Sequence, residues 1–294
     1  MRKIFYKNAI VFGGSGFFGS HLVDALKKEN IKVTIFDLNI PKDESSHDHF
    51  VLGNILDSTS VAKAIEGIDL VFNLAGLSDL NEGITSPYEA AELNILGAIN
   101  ILKGCVDNNV KQYILSSTVY VNSHKGGFYK SSKIASEEFA HEFSKSYDLN
   151  VKILRYGSLY GHRSDSTNGM YRIVKDAFDN GFISYTGDID ATREFINVKD
   201  AAHTTVECVL DINKSAILNI TGQQKMTILE LLNLISEIMS LKVKVDPKKK
   251  NNDSHYKYTP YSIKNRTSKN INPKFFTDIG EGLVELIDEI QSNA

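Results

Sequence analysis

The sequence predicts an α/β fold, a doubly wound parallel sheet with a smaller C-terminal lobe. Two observations support this prediction. Short apolar segments alternate with amphipathic segments of helical length through residues 1–160, and a glycine-rich turn joins the first strand to the first helix. Because helices rather than tight turns connect successive strands, the strands should run parallel. A ligand site is therefore expected beyond the carboxyl ends of the strands, near the point where the strand order reverses.

Composition excludes several classes of function. The 294 residues include 33 Lys and Arg against 36 Asp and Glu, without a long basic segment, which argues against nucleic-acid or membrane partners. The two cysteines, Cys105 and Cys208, supply neither a disulfide framework nor a zinc quartet, and no metal site is predicted. Because no apolar segment has the length of a signal peptide or a bilayer span, a cytoplasmic protein is expected.

The glycine-rich turn is the first chemically informative motif. An apolar strand beginning at Asn8 ends in Gly13-x-x-Gly16-x-x-Gly19, and an amphipathic helix follows. At this spacing one glycine forms the tight turn, one lets the backbone approach a pyrophosphate, and one lets the helix pack closely on the strand. The start of a helix also binds phosphate through backbone N–H groups and the helix dipole. A dinucleotide site is predicted here.

The second predicted strand, residues 31–37, ends in an acidic residue. Asp37 follows the glycines by about 20 residues, where a carboxylate binds the ribose hydroxyls of a dinucleotide. A carboxylate there repels a 2′-phosphate, and no arginine lies nearby to offset it. NAD rather than NADP is therefore the predicted cofactor, and capping of the strand end is the alternative role for Asp37.

The remaining elements continue the alternation. Further strands are predicted at 50–53, 69–73 and 111–116, with helices at 58–66, 88–107 and 129–146. The strand at 69–73 ends in the small residues Leu74-Ala75-Gly76, against which a cofactor can lie. The C-terminal third is predicted to contain helices at 169–180, 201–210 and 227–240 and strands at 182–185, 193–198 and 218–221, with a capping box formed by Thr227 and Glu230.

A candidate catalytic pair follows the strand that ends in Ser116. If residues 129–146 are helical, Tyr129 and Lys133 lie one turn apart on the same face. A phenol titrates near pH 10, and a nearby ammonium group favours the phenolate, which makes tyrosine a usable general base. The simpler alternative is an ordinary amphipathic helix. The strand ending in serines and the dinucleotide turn favour the catalytic interpretation.

The motifs together resemble the extended branch of the short-chain dehydrogenase/reductase superfamily, the NAD-dependent epimerase/dehydratase enzymes that act on nucleotide-sugars. The resemblance covers nearly the whole chain and rests on Gly13-x-x-Gly16-x-x-Gly19, Asn73-Leu-Ala-Gly76, Ser116 with Val119-Tyr120, Tyr129-x-x-x-Lys133, Arg155-Tyr-Gly-Ser-Leu-Tyr-Gly161 and Thr192-Arg193-Glu-Phe-Ile-Asn-Val-Lys-Asp200. It implies that Ser116 polarises the sugar hydroxyl, Tyr129 takes its proton and Lys133 holds the nicotinamide ribose. The choice between Ser116 and Ser117 as hydroxyl donor stays open.

The resemblance also implies the binding residues. Those expected at NAD are Gly13, Gly16, Phe17, Phe18, Asp37, Asn39, Asn54, Ile55, Leu74, Ala75, Gly76, Tyr129, Lys133 and Tyr156. Those expected at the nucleotide-sugar are Ser78, Ser117, Ser158, Arg193 and Arg266, with Arg193 on the diphosphate. The aromatic residues before Arg266 enclose a nucleotide or pack the lobe, and both interpretations stay open.

The implied organisation is a Rossmann domain over 1–160, completed by segments near 193–212, and a substrate lobe over 161–192 and 213–294. Members of the branch pair the helices that match 88–107 and 129–146 across a two-fold axis, so a homodimer is expected.

Departures from the family pattern restrict which reactions are expected of this chain. Dehydratases carry an Asp-Glu pair where this chain has Ser117 and Thr118, which disfavours 4,6-dehydration. Ser158 stands where many relatives have asparagine. The expected activity is oxidation of a sugar C4 hydroxyl to a 4-keto sugar. Three motifs together are similar to the GDP-heptose 4-dehydrogenase type of bacterial surface-polysaccharide synthesis, namely Gly126-Gly-Phe-Tyr129, Tyr156-Gly-Ser-Leu-Tyr-Gly161 and Tyr258-Thr-Pro-Tyr-Ser262. The alternatives are a 4-epimerase, a non-catalytic NAD sensor, and an NADPH-dependent reductase, which Asp37 opposes.

Overall fold

An eight-stranded sheet, parallel throughout, forms the centre of the protein. A computed structural model describes residues 6–42, 49–78, 86–210, 215–245, 256–260, 268–274 and 276–293. The sheet order is β13-β10-β6-β5-β4-β1-β2-β3. Its strands are β1 (Asn8–Phe12), β2 (Lys32–Asp37), β3 (Phe50–Leu52), β4 (Leu70–Asn73), β5 (Gln112–Thr118), β6 (Val151–Tyr156), β10 (Ala216–Ile220) and β13 (Lys269–Ile271). The predicted doubly wound α/β fold is confirmed.

Helices cover both faces of this sheet. One face packs against α1 (Phe17–Lys28) and α7 (Val198–Leu210). The other packs against α2 (Ser58–Ala64), α4 (Gly97–Asp107) and α5 (Gly127–Tyr147). Because both faces are covered, the inner strands are continuous apolar runs, as in β1, where four of the five residues are buried. The strand order reverses between β1 and β4, and this switch point locates the ligand crevice.

The helix predicted at 88–107 is not regular. It consists of α3 (Pro87–Ala91), one π-helical turn (Glu92–Leu96) and then α4. Such a turn adds a residue to the helix and shifts the face that later residues present. Asn94 lies buried inside it, donating from Nδ2 to the Leu77 carbonyl and to the Ser132 hydroxyl of α5. The π-helical turn therefore connects this helix to α5 and to the loop after β4.

A second hydrophobic cluster lies beyond the main sheet. It is formed by α6 (Gly169–Asn180), α8 (Ile228–Met239) and α9 (Ile279–Ser292), with a three-stranded sheet of β7 (Ser158–Tyr160), β9 (Thr192–Asn197) and β11 (Lys225–Thr227) and a pair of β8 (Phe182–Tyr185) with β12 (Lys242–Val245). The predicted capping box of Thr227 and Glu230 is confirmed at the start of α8.

The expected domain boundary needs a correction. Residues 213–294 were assigned wholly to the substrate lobe, but β10 and β13 extend the main sheet beside β6. An apolar strand pattern shows that a segment is a strand and does not show which sheet edge it joins, so this boundary could not be read from the sequence. Of the segments near 193–212 that were expected to complete the first domain, α7 packs against α1 on the main sheet and β9 lies in the three-stranded sheet.

Candidate active site

A cavity of about 510 Å³ opens at the carboxyl ends of β1 to β6. The structure brings together here most of the residues expected at a cofactor or substrate: Gly13, Gly16, Phe17, Phe18, Asp37, Asn39, Asn54, Ile55, Leu74, Ala75, Gly76, Ser78, Ser116, Ser117, Tyr129 and Tyr156. These residues are distant in sequence and meet because each parallel strand ends at the same edge of the sheet.

The glycine turn leaves no space for a side chain at Gly13 or at Gly19. Gly13 has a φ of 82°, and its N–H donates to the Phe36 carbonyl at 2.9 Å. A Cβ placed on Gly19 would lie 2.1 Å from the Gly13 oxygen, so helix and turn are in direct backbone contact. The following helix has neither a side-chain cap nor an acidic residue in its first turn. These features fit a pyrophosphate, which needs bare backbone and a free helix start.

Asp37 is held at the rim of the cavity by two backbone groups. The N–H of Ser15 donates to Oδ2 and the N–H of Asn39 donates to Oδ1, each at 3.0 Å. The carboxylate is thereby fixed between the glycine turn and the end of β2. This position fits a ribose diol and disfavours a 2′-phosphate.

The last three residues of β5 all line the cavity, namely Ser116, Ser117 and Thr118. The Thr118 hydroxyl hydrogen-bonds the phenol of Tyr129. Thr118 is a site residue that the sequence analysis did not select.

The pKa values of the catalytic pair are set mainly by burial. Burial raises the pKa of Tyr129 to about 12, and the hydrogen bond from Thr118 opposes this shift. Burial lowers the pKa of Lys133 to about 8, and Glu137 opposes that shift. The Lys133 ammonium donates to the Ser116 carbonyl at 3.2 Å. The expectation that Lys133 brings the pKa of Tyr129 towards neutrality is therefore corrected, because desolvation of the phenol is the larger effect.

The Ser117 hydroxyl is held by a buried carboxylate. Its Oγ donates to Glu137 Oε1 at 2.5 Å, and Glu137 is paired with Arg155. Ser116 and Ser117 both line the cavity, so the predicted contact of Ser117 with a substrate and the choice between the two serines as hydroxyl donor remain predictions.

Arg193 and Ser158 lie outside the walls of this cavity and belong to an adjoining cluster. The Arg193 guanidinium lies 4.3 Å from the centroid of the Tyr256 ring and donates to the carbonyls of Tyr256 and Thr192. The Tyr256 phenol is hydrogen-bonded to Ser158, and its ring lies 4.8 Å from that of Tyr120. The predicted contacts of Arg193 and Ser158 with a substrate remain predictions, and Arg266 lies outside the described residues.

Other residues of the site had no signal in the sequence. Asp165, Thr167 and Asn168, from the loop before α6, also line the cavity, and Asp165 lies near the glycine turn. Asn94 also adjoins it, since a Cβ on Gly76 would lie 2.1 Å from the Asn94 Oδ1. Their positions depend on how the second hydrophobic cluster packs against the main sheet, and local sequence patterns do not show that packing.

The fold and this site define a short-chain dehydrogenase/reductase-type enzyme that uses NAD. The family model described as the NAD dependent epimerase/dehydratase family matches residues 9–220. The chain belongs to this family. Within the described residues, no helix has the length and apolar character needed to cross a membrane.

Individual relatives agree with this assignment. A putative UDP-glucose 4-epimerase of Methanocaldococcus jannaschii is 25% identical, with 97% of this chain and 98% of the relative covered. The solved UDP-N-acetylglucosamine 4-epimerase of Methanobrevibacter ruminantium M1, in complex with UDP-N-acetylmuramic acid, is 25% identical with a TM-score of 0.82 and covers 98% and 99% of the two chains. The UDP-glucuronic acid 4-epimerase of Bacillus cereus, in complex with UDP-glucuronic acid and NAD, has the same fold, at 22% identity, a TM-score of 0.82 and coverage of 98% and 100%.

Proposed function

We propose that this protein oxidises the C4 hydroxyl of a nucleotide-linked sugar to a ketone with NAD. The observation that supports this most directly is the hydrogen bond between Tyr129 and Thr118 at the wall of the glycine-lined cavity, with Lys133 one helical turn further on. Bound NAD supplies the hydride acceptor. The chain itself supplies the proton acceptor and the groups that orient the sugar oxygen.

Each residue has a distinct role in this proposal. Tyr129 accepts the hydroxyl proton, and Thr118 and Ser116 hydrogen-bond the phenol and the reacting oxygen. Lys133, whose pKa is about 8, is still protonated near neutral pH and is the group that the family resemblance assigns to the nicotinamide ribose. The glycine turn and Asp37 hold the diphosphate and the adenosine ribose of the cofactor.

The fate of the ketone separates two candidate activities. A dehydrogenase releases the 4-keto sugar and leaves NADH, whereas a 4-epimerase returns the hydride to the other face of the sugar. The epimerase alternative is supported by the relatives that are described as UDP-sugar 4-epimerases. GDP-heptose is the candidate substrate on the sequence pattern alone, and UDP-sugars are the candidates on the relatives. A dehydratase is disfavoured because Ser117 and Thr118 carry no carboxylate and both hydroxyls have partners.

One comparison of variants tests the proposal. The purified protein is incubated with NAD and GDP-, UDP- or dTDP-sugars, and mass spectrometry and NADH absorbance follow the products. Tyr129→Phe should lower turnover by about 10²- to 10⁴-fold, the usual contribution of a general base, while NAD affinity is kept. Tyr88→Phe is the matched control, since this phenol is 86% exposed on α3. Full activity of Tyr129→Phe contradicts the proposal, and the absence of turnover with NAD still bound by the wild type favours the sensor.

We also propose that two copies pair through the helices at 87–107 and 127–147. Their outer faces expose large apolar side chains, with Leu96 at 54%, Phe139 at 42% and Tyr147 at 59%. Exposed apolar surface of this extent on neighbouring helices favours burial against a second copy. The measured mass of the protein in solution tests the pairing.

A further inference from the structure

Three consecutive residues of β5 bind three residues of α5 that are one helical turn apart. Successive positions in a helix that differ by four lie on one face, so Tyr129, Lys133 and Glu137 all face the strand. The contacts are Thr118 to the Tyr129 phenol, the Ser116 carbonyl to the Lys133 ammonium, and the Ser117 hydroxyl to the Glu137 carboxylate. The proposed mechanism uses the first two contacts and leaves the third without a role.

The third contact is part of a buried ion pair. Arg155 of β6 donates to Glu137 from Nε at 2.9 Å and from Nη2 at 2.5 Å. Ser117 and Arg155 are directly paired in the sheet, so both approach Glu137 from the same level. The side chains of Arg155 and Glu137 are only 8% and 7% exposed. Two strands thus fix one carboxylate on the helix in both position and direction.

Stability alone gives a weak reason for this pair. Taking two charges out of water costs several kcal/mol per ion, and well-packed apolar residues of similar volume often serve equally well or better. Arg155 also has a buried Nη1 without a hydrogen-bond partner. A buried pair that contributes little net stability is explained more directly by an effect on its neighbours.

The neighbour that needs a carboxylate is Lys133. The residue is 7% exposed, and its ammonium donates to the neutral carbonyl of Ser116. On its own helix it is flanked by Tyr129 and by Glu137, and Arg155 lies beyond Glu137. Among the other described elements packed on α5, the π-helical turn carries the buried, neutral Asn94 and the exposed Glu92, and α3 carries the exposed Glu89. The short helix Val119–Asn122 that follows β5 contributes the phenol of Tyr120. Glu137 is therefore the buried anionic group placed to balance the charge of Lys133.

We propose that Glu137 is a positioning residue for this reaction: anchored by Ser117 and Arg155, its carboxylate keeps the Lys133 ammonium charged and in register with Tyr129. The inference rests on the proposed function for its catalytic meaning. Its physical content, the electrostatic coupling of two side chains, can be measured in the protein without any sugar.

The test is the titration of Lys133 by NMR. The full chain is labelled with ε-¹³C-lysine, and a Lys133→Arg variant assigns the resonance by its absence. The wild-type resonance should titrate with a pKa of about 8, well below that of ordinary lysines. In Glu137→Gln, which keeps an amide oxygen for Ser117, the pKa should fall by about one unit because an opposing charge has been removed. The alkaline limb of kcat/KM should move to lower pH by the same amount.

A neighbouring glutamate supplies the control. Glu138→Gln removes the same charge from the same helix at an exposed position, and should leave the Lys133 titration where it is. An equal shift in both variants, or no shift in Glu137→Gln, overturns the proposal. If Glu137→Gln does not fold, the wild type decides: the Glu137 ¹³Cδ resonance must respond as Lys133 titrates, and a resonance that is insensitive to that titration overturns it too. If the Lys133 titration depends on Glu137 as expected but the enzyme turns over no sugar, the result contradicts the proposed function and leaves this inference intact.

Discussion

Replacing Gly19 by alanine sets two opposing effects against each other. Gly19 lies in the first turn of α1, where alanine is intrinsically preferred over glycine by about 1 kcal/mol. Helix propensity alone therefore predicts a more stable variant. However, the new Cβ would lie 2.1 Å from the Gly13 oxygen, 2.8 Å from the Gly14 Cα and 3.0 Å from the Gly13 carbon. All three are backbone atoms of the turn and cannot rotate away.

The size of the clash decides the sign. The turn must move by about 1 Å to restore a normal contact, and overpacking of this kind costs about 1–3 kcal/mol. With backbone on both sides we take the upper value, which leaves a net loss of about 2 kcal/mol after the gain in propensity. At about 2.1 cal/mol/K per residue, a chain of 294 residues unfolds with an entropy of about 0.6 kcal/mol/K. The expected fall in Tm is about 3 °C.

Calorimetry and a cofactor titration measure the outcome together. Because the displaced turn is also the phosphate cradle, NAD affinity should fall by at least about 10-fold, as a displacement near 1 Å commonly costs this much or more. Gly16→Ala is the control for stability: its Cβ would meet the Gly13 oxygen at 3.4 Å, an ordinary contact. Gly16 is the N-cap of α1, where alanine costs about 1 kcal/mol relative to glycine, so Tm should fall by less than about 2 °C. A Gly19→Ala protein with higher Tm and unchanged NAD affinity refutes the reasoning.

Three further predictions concern cofactor choice, assembly and acid stability. Asp37→Asn should weaken NADH binding by about 10- to 100-fold, because a charged hydrogen bond to the ribose is lost. The ratio of NADH affinity to NADPH affinity, measured by fluorescence titration, should therefore become smaller. Leu96→Glu should convert the proposed dimer into monomers in light scattering, since a charge replaces a 54% exposed leucine on the pairing face. Burial lowers the pKa of His21 to about 4, so the unfolded state binds more protons below pH 6.5. His21 should therefore lower the free energy of unfolding by about 3 kcal/mol between pH 7 and pH 4. In urea titrations, His21→Gln should lack this contribution to the pH dependence.

Matched variants make these outcomes interpretable. Asp107→Asn removes an exposed carboxylate far from the cavity and should leave both cofactor affinities unchanged. Leu52→Glu alters a 65% exposed leucine on edge strand β3 and should not change the mass in solution. His203→Gln, at an exposed position, should keep the wild-type pH dependence. Each prediction has an outcome that contradicts it. For Asp37→Asn it is an unchanged affinity for NADPH, and for Leu96→Glu it is a dimer in solution. For His21→Gln it is a loss of stability in acid equal to that of the wild type.

The Rossmann half of the fold was predictable because its signals are local. Strands that are buried on both faces are continuous apolar runs, and the glycine turn has a fixed position between strand and helix. Tyr129 and Lys133 could be selected because helix geometry alone places them on one face. The helix predicted at 88–107 is present over 87–107, whereas its π-helical turn at Glu92–Leu96 was not predicted.

Properties that depend on packing between distant segments were not predictable. The direction of the Ser117 hydroxyl depends on Glu137 and Arg155, which meet it only after β5, β6 and α5 are assembled. The pKa of Tyr129 depends on how deeply the phenol is covered, and the ammonium that was expected to lower it is engaged by the Ser116 carbonyl. The addition of β13 to the main sheet likewise follows from a long-range pairing with β10.

The π-helical turn makes the helix at 87–107 tolerant of one change in its residue count. Each residue of an α-helix advances the chain by about 100° around the axis, and a π-helical turn accommodates one extra residue by winding less per residue. The five residues Glu92–Leu96 therefore cover about the angle of four α-helical residues, which keeps the buried ridge of Ile101, Leu102 and Cys105 towards the sheet. Deleting one residue between Glu92 and Leu96 would restore regular α-helix and leave that ridge in place, whereas the same deletion inside α4 would rotate part of it away from the sheet.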